Sequence, residues 1–301
     1  MNQKMKNVLF LIIVSLTSVN SYSQSFKILD AESHRPISYA SIFYSGKGLY
    51  ANGNGEFRIP NNIEDDTVIR IEAMGFEAYE SLVSNLKPEV YLSPKIDELN
   101  EVVIEKTRET TVVKEEKTTK NFGSFPLGVE QEFVSVLFPN EKIKNSFFNK
   151  ITIFFNKSRG FNHKRKELQE KRSAMRLNIY KYDTKSEVVF RKLFSSDVFF
   201  VNRYHKDEIS VEINSYIPFY EEGIAIGVEF LGEVNEQMEF VKEDEFARGP
   251  ALTERQSDDY EAESFLRYFL AKNPAYKSFS EIFKEHGYDM RNLQLRLELV
   301  K

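Results

Sequence analysis

The sequence contains no cysteine among its 301 residues. That excludes disulfides, thiol nucleophiles, zinc ribbons and iron–sulfur clusters, and with them lipid attachment at a cleavage-site cysteine. Tryptophan is also absent, and histidine occurs only 4 times. Exposed tryptophan is a frequent platform for sugars, so its absence counts against a lectin-like surface. Basic charge is not in excess: the formal net charge is −5, which counts against a nucleic-acid role. No P-loop, G-x-S-x-G or dinucleotide fingerprint is present. No stretch reaches the ~20 apolar residues of a membrane-spanning helix.

What is present begins at the N-terminus. Lys4 and Lys6 precede an apolar run from Val8 to Val14, extended by Leu16. Ser21 and Ser23 then stand at the −3 and −1 positions of a cut before Gln24. This pattern predicts a secretory signal peptide over residues 1–23. Without Lys4 and Lys6 the charge falls from −5 to −7. Phe and Tyr are abundant, 26 and 15, and together with many short β-branched segments they predict an all-β protein.

The stretch Asn52-Gly53-Asn54-Gly55-Glu56-Phe57-Arg58-Ile59-Pro60 reads as a tight hairpin turn feeding a strand. Asn-Gly pairs accept the positive φ of such turns. Phe57 and Ile59 then share one face, Glu56 and Arg58 the other. Around it, strands are expected at Ser25–Asp30, Ile37–Tyr44, Leu49–Ala51, Thr67–Ala73, Glu77–Val83, Glu89–Leu92 and Leu99–Ile104. Short strands at regular spacing with turn signals predict a β-sandwich.

These residues carry a family resemblance. Asp30, Pro36-Ile37 and Ala40-Ser41-Ile42 come first, followed by Gly53 to Phe57. Then come Ile69, Met74-Gly75-Phe76-Glu77, Val90-Tyr91-Leu92 and Leu99 to Ile104. In that order they resemble the carboxypeptidase-regulatory-like domain of Bacteroidetes envelope proteins. The resemblance implies a seven-stranded, transthyretin-like sandwich, common at the N-terminus of TonB-dependent receptors. In peptidases that carry such a domain it is an accessory, so no peptidase activity follows. Leu99 to Ile104 is similar to the segment that precedes the plug of those receptors. The remaining chain is too short for a large receptor barrel, whose strands take ~10 residues each.

Glu105 to Phe122 is charged and Thr-rich and reads as a solvated linker. Beyond it, strands are expected at Asn149–Phe155, Met175–Tyr182, Ser196–Tyr204, Glu208–Ile213 and Leu293–Val300. Gly223–Leu231 is nearly continuous in apolar residues, fit for a central strand. Ala262, Phe265, Leu266, Phe269 and Leu270 recur at helical spacing, with Ser257 as cap and Asn273-Pro274 as stop. A second short helix is expected from Ser280 to Glu285. The second half is similar to a jelly-roll-like module that follows the regulatory-like domain in some exported proteins. The expected organisation is signal peptide 1–23, first sandwich 24–105, linker 106–122 and second sandwich with a short helical insertion 123–301.

Candidate chemistry is sparse. His205-Lys206-Asp207-Glu208 matches H-x-x-E, with His286 as a conceivable third zinc ligand, but a catalytic site also needs an open position and a base. His34 lies in a turn before Pro36. Paired carboxylates occur at Asp65-Asp66, Glu221-Glu222, Asp244-Glu245 and Asp258-Asp259, which in loops are ordinarily solvated charge. Lys164, Arg165 and Lys166 centre a basic cluster that runs from Lys157 to Arg172, a candidate contact for an anionic surface. No catalytic, cofactor or metal residue is assigned. The expectation is an exported, non-catalytic envelope protein that binds or scaffolds a protein or glycan. The alternatives are an envelope hydrolase with its site in the second domain and an accessory of TonB-dependent uptake.

Overall fold

The computed structural model describes residues 25–95, 110–114, 127–128, 131–155, 171–185, 190–202, 207–241, 249–253, 257–268, 276–279, 281 and 292–301. Over these residues the chain is an all-β protein built as two sandwiches.

The first sandwich has seven strands in two sheets. β1 (Ser25–Asp30) lies between β4 (Glu56–Arg58) and β7 (Glu89–Leu92). The second sheet runs β3 (Lys47–Tyr50), β2 (Ser41–Tyr44), β5 (Val68–Glu72), β6 (Tyr79–Leu82). Period-two patterning decides what each strand buries. Phe26 and Ile28 of β1, Ile42 of β2, Ile69 and Ile71 of β5, and Val90 and Leu92 of β7 meet in one core. Phe57 and Ile59 are buried while Arg58 is exposed, as the alternation predicts.

The Asn52–Pro60 stretch is not a hairpin connection. β3 pairs with β2, and β4 pairs with β1, so the turn crosses from one sheet to the other. Locally it is closed by Asn52, whose Oδ1 accepts from the N–H groups of Asn54 and Glu56 at 2.9 Å each. Gly55 takes φ +73°, and a Cβ there would sit 2.8 Å from the Ile28 carbonyl oxygen. The local turn chemistry is right; what the sequence does not carry is which sheet each flanking strand joins.

The second sandwich sets seven strands against four. The large sheet runs β12 (Phe190–Ser195), β11 (Arg172–Tyr182), β15 (Ile224–Val234), β9 (Gln131–Pro139), β17 (Tyr260–Tyr268), β18 (Tyr276–Ser278), with β13 (Phe199–Asn202) also on β11. The small sheet runs β14 (Asp207–Glu212), β10 (Phe147–Phe155), β20 (Leu295–Val300), β8 (Thr110–Lys114). A two-residue pair, β16 (Leu252–Thr253) with β19 (Asn292–Leu293), stands apart. The core between the sheets takes Ile151, Ile153 and Phe155 of β10, Leu295, Leu297 and Leu299 of β20, Leu177 and Ile179 of β11, and Ile226, Val228 and Phe230 of β15.

Two expectations are corrected here. Tyr260–Tyr268, expected as the start of a helical insertion, is a nine-residue strand paired along its length with β9. The apolar spacing of Ala262, Phe265 and Leu266 fits a helix, but the alternation of Tyr260, Ala262, Ser264 and Leu266 fits a strand as well. The open edge of β9 decides between them. Thr110–Lys114, expected within the linker, is an edge strand on β20, with Val113 buried in the core. Its β-branched Thr-Thr-Val-Val run has strand propensity that the flanking charges mask. Leu99–Ile104, and the expected helix at 280–285 apart from Glu281, lie outside the described residues.

Gly55→Ala and Gly75→Ala test whether close approach adds to backbone strain. Both residues have positive φ, +73° and +80°, but a Cβ at Gly75 meets nothing within 4 Å. Urea denaturation is expected to show a loss of about 1 kcal/mol for Gly75→Ala and a clearly larger loss for Gly55→Ala. Equal losses would mean that the Ile28 contact relaxes freely.

Candidate functional site: a buried polar network beneath the first domain

β11, β15, β9 and β17 turn one face to the sandwich core. The opposite face is where polar side chains converge. β15 is buried along its whole length, so both its faces are covered. Its core-facing residues are apolar; its other face presents Ala225, Gly227 and Glu229. β9 adds Glu132 to the same face, β11 adds Arg176, Asn178 and Tyr180, and β17 adds Arg267. Glu132 and Glu229 are both fully buried, at 0 % exposure.

A buried carboxylate is tolerated only when its charge and lone pairs are met. Here three of the four carboxylate oxygens accept hydrogen bonds, and the fourth, Glu132 Oε2, is met by the charge of Arg267. Asn178 Nδ2 donates to Glu132 Oε1 at 2.8 Å and to Glu229 Oε2 at 2.7 Å, bridging the two. Tyr180 donates its hydroxyl to Glu132 Oε1 at 2.7 Å. Arg267 Nε stands 3.1 Å from Glu132 Oε2, and its Nη2 donates to the Tyr180 oxygen at 3.1 Å. Ser195 donates to Asn178 Oδ1 at 2.5 Å, which fixes the amide so that its nitrogen faces the carboxylates. Gly227 makes room: a Cβ there would lie 2.7 Å from Glu132 Cδ.

A fourth partner of the carboxylates comes from the first sandwich. Tyr50, at the end of β3, donates its hydroxyl to Glu229 Oε1 at 2.5 Å. Burial pushes the Glu229 carboxyl up, but the charges of Arg176 and Lys192 and the hydrogen bonds from Tyr50 and Asn178 outweigh it and hold it below the ordinary value. Burial, and then the Glu229 charge, push the Tyr50 phenol well above its usual range, so it stays protonated and keeps the proton it donates to Glu229. Tyr180 is raised in the same way by burial and by Glu132.

Around this bond the two domains pack. Arg176 Nη2 donates to the Tyr39 carbonyl at 2.7 Å, and the Gly53 N–H donates to the Met238 carbonyl at 3.1 Å. Tyr39 and Tyr50 join Ala174, Leu231 and Val234 in a small apolar cluster, with Phe200, Met238 and Phe240 at its margin. A register shift places Ala174 opposite Gly232 and Met175 opposite Phe230, leaving Leu231 as a bulge residue in this cluster. Gly53 is required by contact rather than by dihedral, since a Cβ there would lie 2.5 Å from Met238 Cβ.

The family model of the CarboxypepD_reg-like domain matches residues 26–104. This first sandwich is a CarboxypepD_reg-like domain. A search of curated proteins returns no match to the chain. The CarboxypepD_reg-like domain is a general, non-catalytic domain type, and here it contributes Tyr39, Tyr50 and Gly53 to the junction.

The residues singled out in the sequence lie elsewhere. His34, at φ 55°, packs its ring against Tyr91 at 5.6 Å. Glu208 pairs with Arg296 at 3.3 Å, Glu221 with Lys144 at 2.8 Å and Asp259 with Lys142 at 2.9 Å, all at the surface. His205, Lys206, His286, Asp244, Glu245, Lys164, Arg165 and Lys166 lie outside the described residues. Among the described residues no group of three or more His, Asp or Glu is placed to hold a metal. The network residues were missed, although one signal was present: Glu229 is a lone charge inside an apolar run read as a central strand.

The two interface tyrosines should respond oppositely to loss of their hydroxyls. Tyr50→Phe leaves a buried carboxylate short of a donor and is expected to cost about 1–3 kcal/mol. The Tyr39 hydroxyl is buried with no hydrogen-bond partner among the described residues, so Tyr39→Phe should be neutral or stabilising. Urea midpoints at fixed pH decide this, and equal effects of the two substitutions would sink the assignment of Tyr50 as a network member.

Proposed function

We propose that this is a non-catalytic binding or scaffolding protein of the cell envelope, whose CarboxypepD_reg-like domain is held in a fixed position on the large sheet. The observation that carries this reading is that Glu132 and Glu229 are consumed by internal donors. Arg267 pairs with Glu132, the charges of Arg176 and Lys192 offset that of Glu229, hydrogen bonds from Asn178, Tyr180 and Tyr50 reach three of the four carboxylate oxygens, and the site is closed by the first domain. Reactive carboxylates need space for a substrate and for water. The signal-peptide pattern of residues 1–23 supports export, and the mild acidity supports a partner other than nucleic acid.

One observation favours a second reading. Glu132 and Glu229 both lie within hydrogen-bond reach of a single amide nitrogen, a closeness comparable to the ~5 Å of paired carboxylates in retaining glycosidases. A hydrolase would need the first domain to lift away.

The mature chain assayed against chromogenic glycosides and a fluorogenic peptide library separates the two. No turnover is expected from the wild type or from Tyr50→Ala, which removes the lid contact. Turnover that disappears in both Glu132→Gln and Glu229→Gln would establish the hydrolase instead.

A further inference from the structure

β14 is an edge strand of the small sheet. Its register with β10 pairs Ile151 with Val211 and Thr152 with Ser210. The Ile213 N–H donates to the Asn149 carbonyl. In an antiparallel ladder, bonded and non-bonded pairs alternate. Ile209, Val211 and Ile213 therefore spend their main-chain groups on β10, whereas Glu208, Ser210 and Glu212 turn theirs outward. No main-chain partner for these three is present among the described residues.

This edge opens onto a cleft of about 530 Å³. Ile209 and Val211 line it on the β14 side; Phe194, Val198 and Phe199 line it from the large sheet; Met74 of the CarboxypepD_reg-like domain lines it from above. Met74 is 57 % exposed. The charged residues of the lining are Asp197 and Glu212, with no base among them. Glu212 also meets Lys150 at 3.0 Å on the outer face of the sheet; Asp197 is exposed.

We propose that this cleft binds an extended peptide segment of a partner protein, added antiparallel or parallel to β14 as a further strand. Three features select that occupant. The outward N–H and C=O groups at Ser210 and Glu212 match an extended main chain. The apolar walls take alternate side chains of such a strand. The acidic rim favours lysine or arginine on the other side chains and disfavours an acidic segment. The proposal rests on the binding-protein reading and names the partner chemistry for it.

The test uses two substitutions at Ser210. Proline there removes an outward N–H without breaking a bond to β10, a position where edge strands tolerate it. Ser210→Val keeps the N–H and replaces the hydroxyl, which otherwise bonds Thr152 at 2.8 Å, with methyl groups. A random dodecapeptide display library is selected on the mature chain, and the enriched peptides are synthesised. The expected result is enrichment of alternating apolar and basic residues. Affinity should fall at least tenfold for Ser210→Pro, be retained by Ser210→Val, and be lost when alternate peptide nitrogens are methylated. Failure to enrich any sequence overturns the proposal, as does binding indifferent to Ser210→Pro while circular dichroism shows that variant folded. Sedimentation showing that wild type self-associates through this edge, and Ser210→Pro does not, overturns it in favour of a second copy of the chain. Enriched peptides that are cleaved would leave the cleft standing and overturn the non-catalytic reading instead.

Discussion

Two carboxylates sit on the outer face of a sheet, fully buried from solvent, and the rest of the structure is arranged around that fact. Glu132 and Glu229 come from adjacent strands, β9 and β15. Their charges cannot be left unmet without a penalty of several kcal/mol each. Asn178 on β11 serves both, Arg267 on β17 serves one, and no strand of the large sheet supplies the hydroxyl that Glu229 Oε1 receives. That donor is Tyr50, carried in by the first sandwich. The constraint therefore reaches across the domain boundary. It requires glycine at 227, where any side chain would meet Glu132, and it fixes where β3 ends relative to β15.

Networks of this kind define geometry more than they add stability. The stability of each sandwich comes from its own apolar core. The apolar part of the junction is small, built on Tyr39, Tyr50, Ala174, Leu231 and Val234. What makes the docking specific is the set of directed bonds: Tyr50 to Glu229, Arg176 to the Tyr39 carbonyl, Gly53 to the Met238 carbonyl. Lifting the first domain would break all three and leave a carboxylate short of its donor. Two sandwiches joined in this way are suited to presenting a surface at fixed spacing, and the β14 edge beneath Met74 is the surface proposed for it.

Much of the fold was readable in the sequence because its signals are local. Phe26, Ile28, Val68 to Ile71 and Leu293 to Leu299 alternate as strands do, and Asn52 and Gly55 mark their turn by residue type alone. Tyr260–Tyr268 was misread because a nine-residue segment with apolar residues at 262, 265 and 266 satisfies two periods at once, and only the neighbouring β9 edge settles which. The hairpin expectation failed at a similar point: turn chemistry specifies a bend, while sheet membership depends on strands far away in sequence. The network itself was nearly invisible. Tyr50 and Glu229 are 179 positions apart, and neither sits in a motif. Asn178 and Arg176 alternate with apolar residues as exposed side chains would, and nothing local says that another domain covers them. Glu229 inside Gly223–Leu231 was the clue, a charge with no reason to be there unless something meets it.

The central claim is that Tyr50 and its neighbours join the two sandwiches into one cooperative unit. Differential scanning calorimetry of residues 24–301 tests it most directly. A single transition whose calorimetric and van't Hoff enthalpies agree is the predicted result. Two resolved transitions, or a calorimetric enthalpy clearly larger than the van't Hoff value, would show that the CarboxypepD_reg-like domain unfolds on its own and would contradict it.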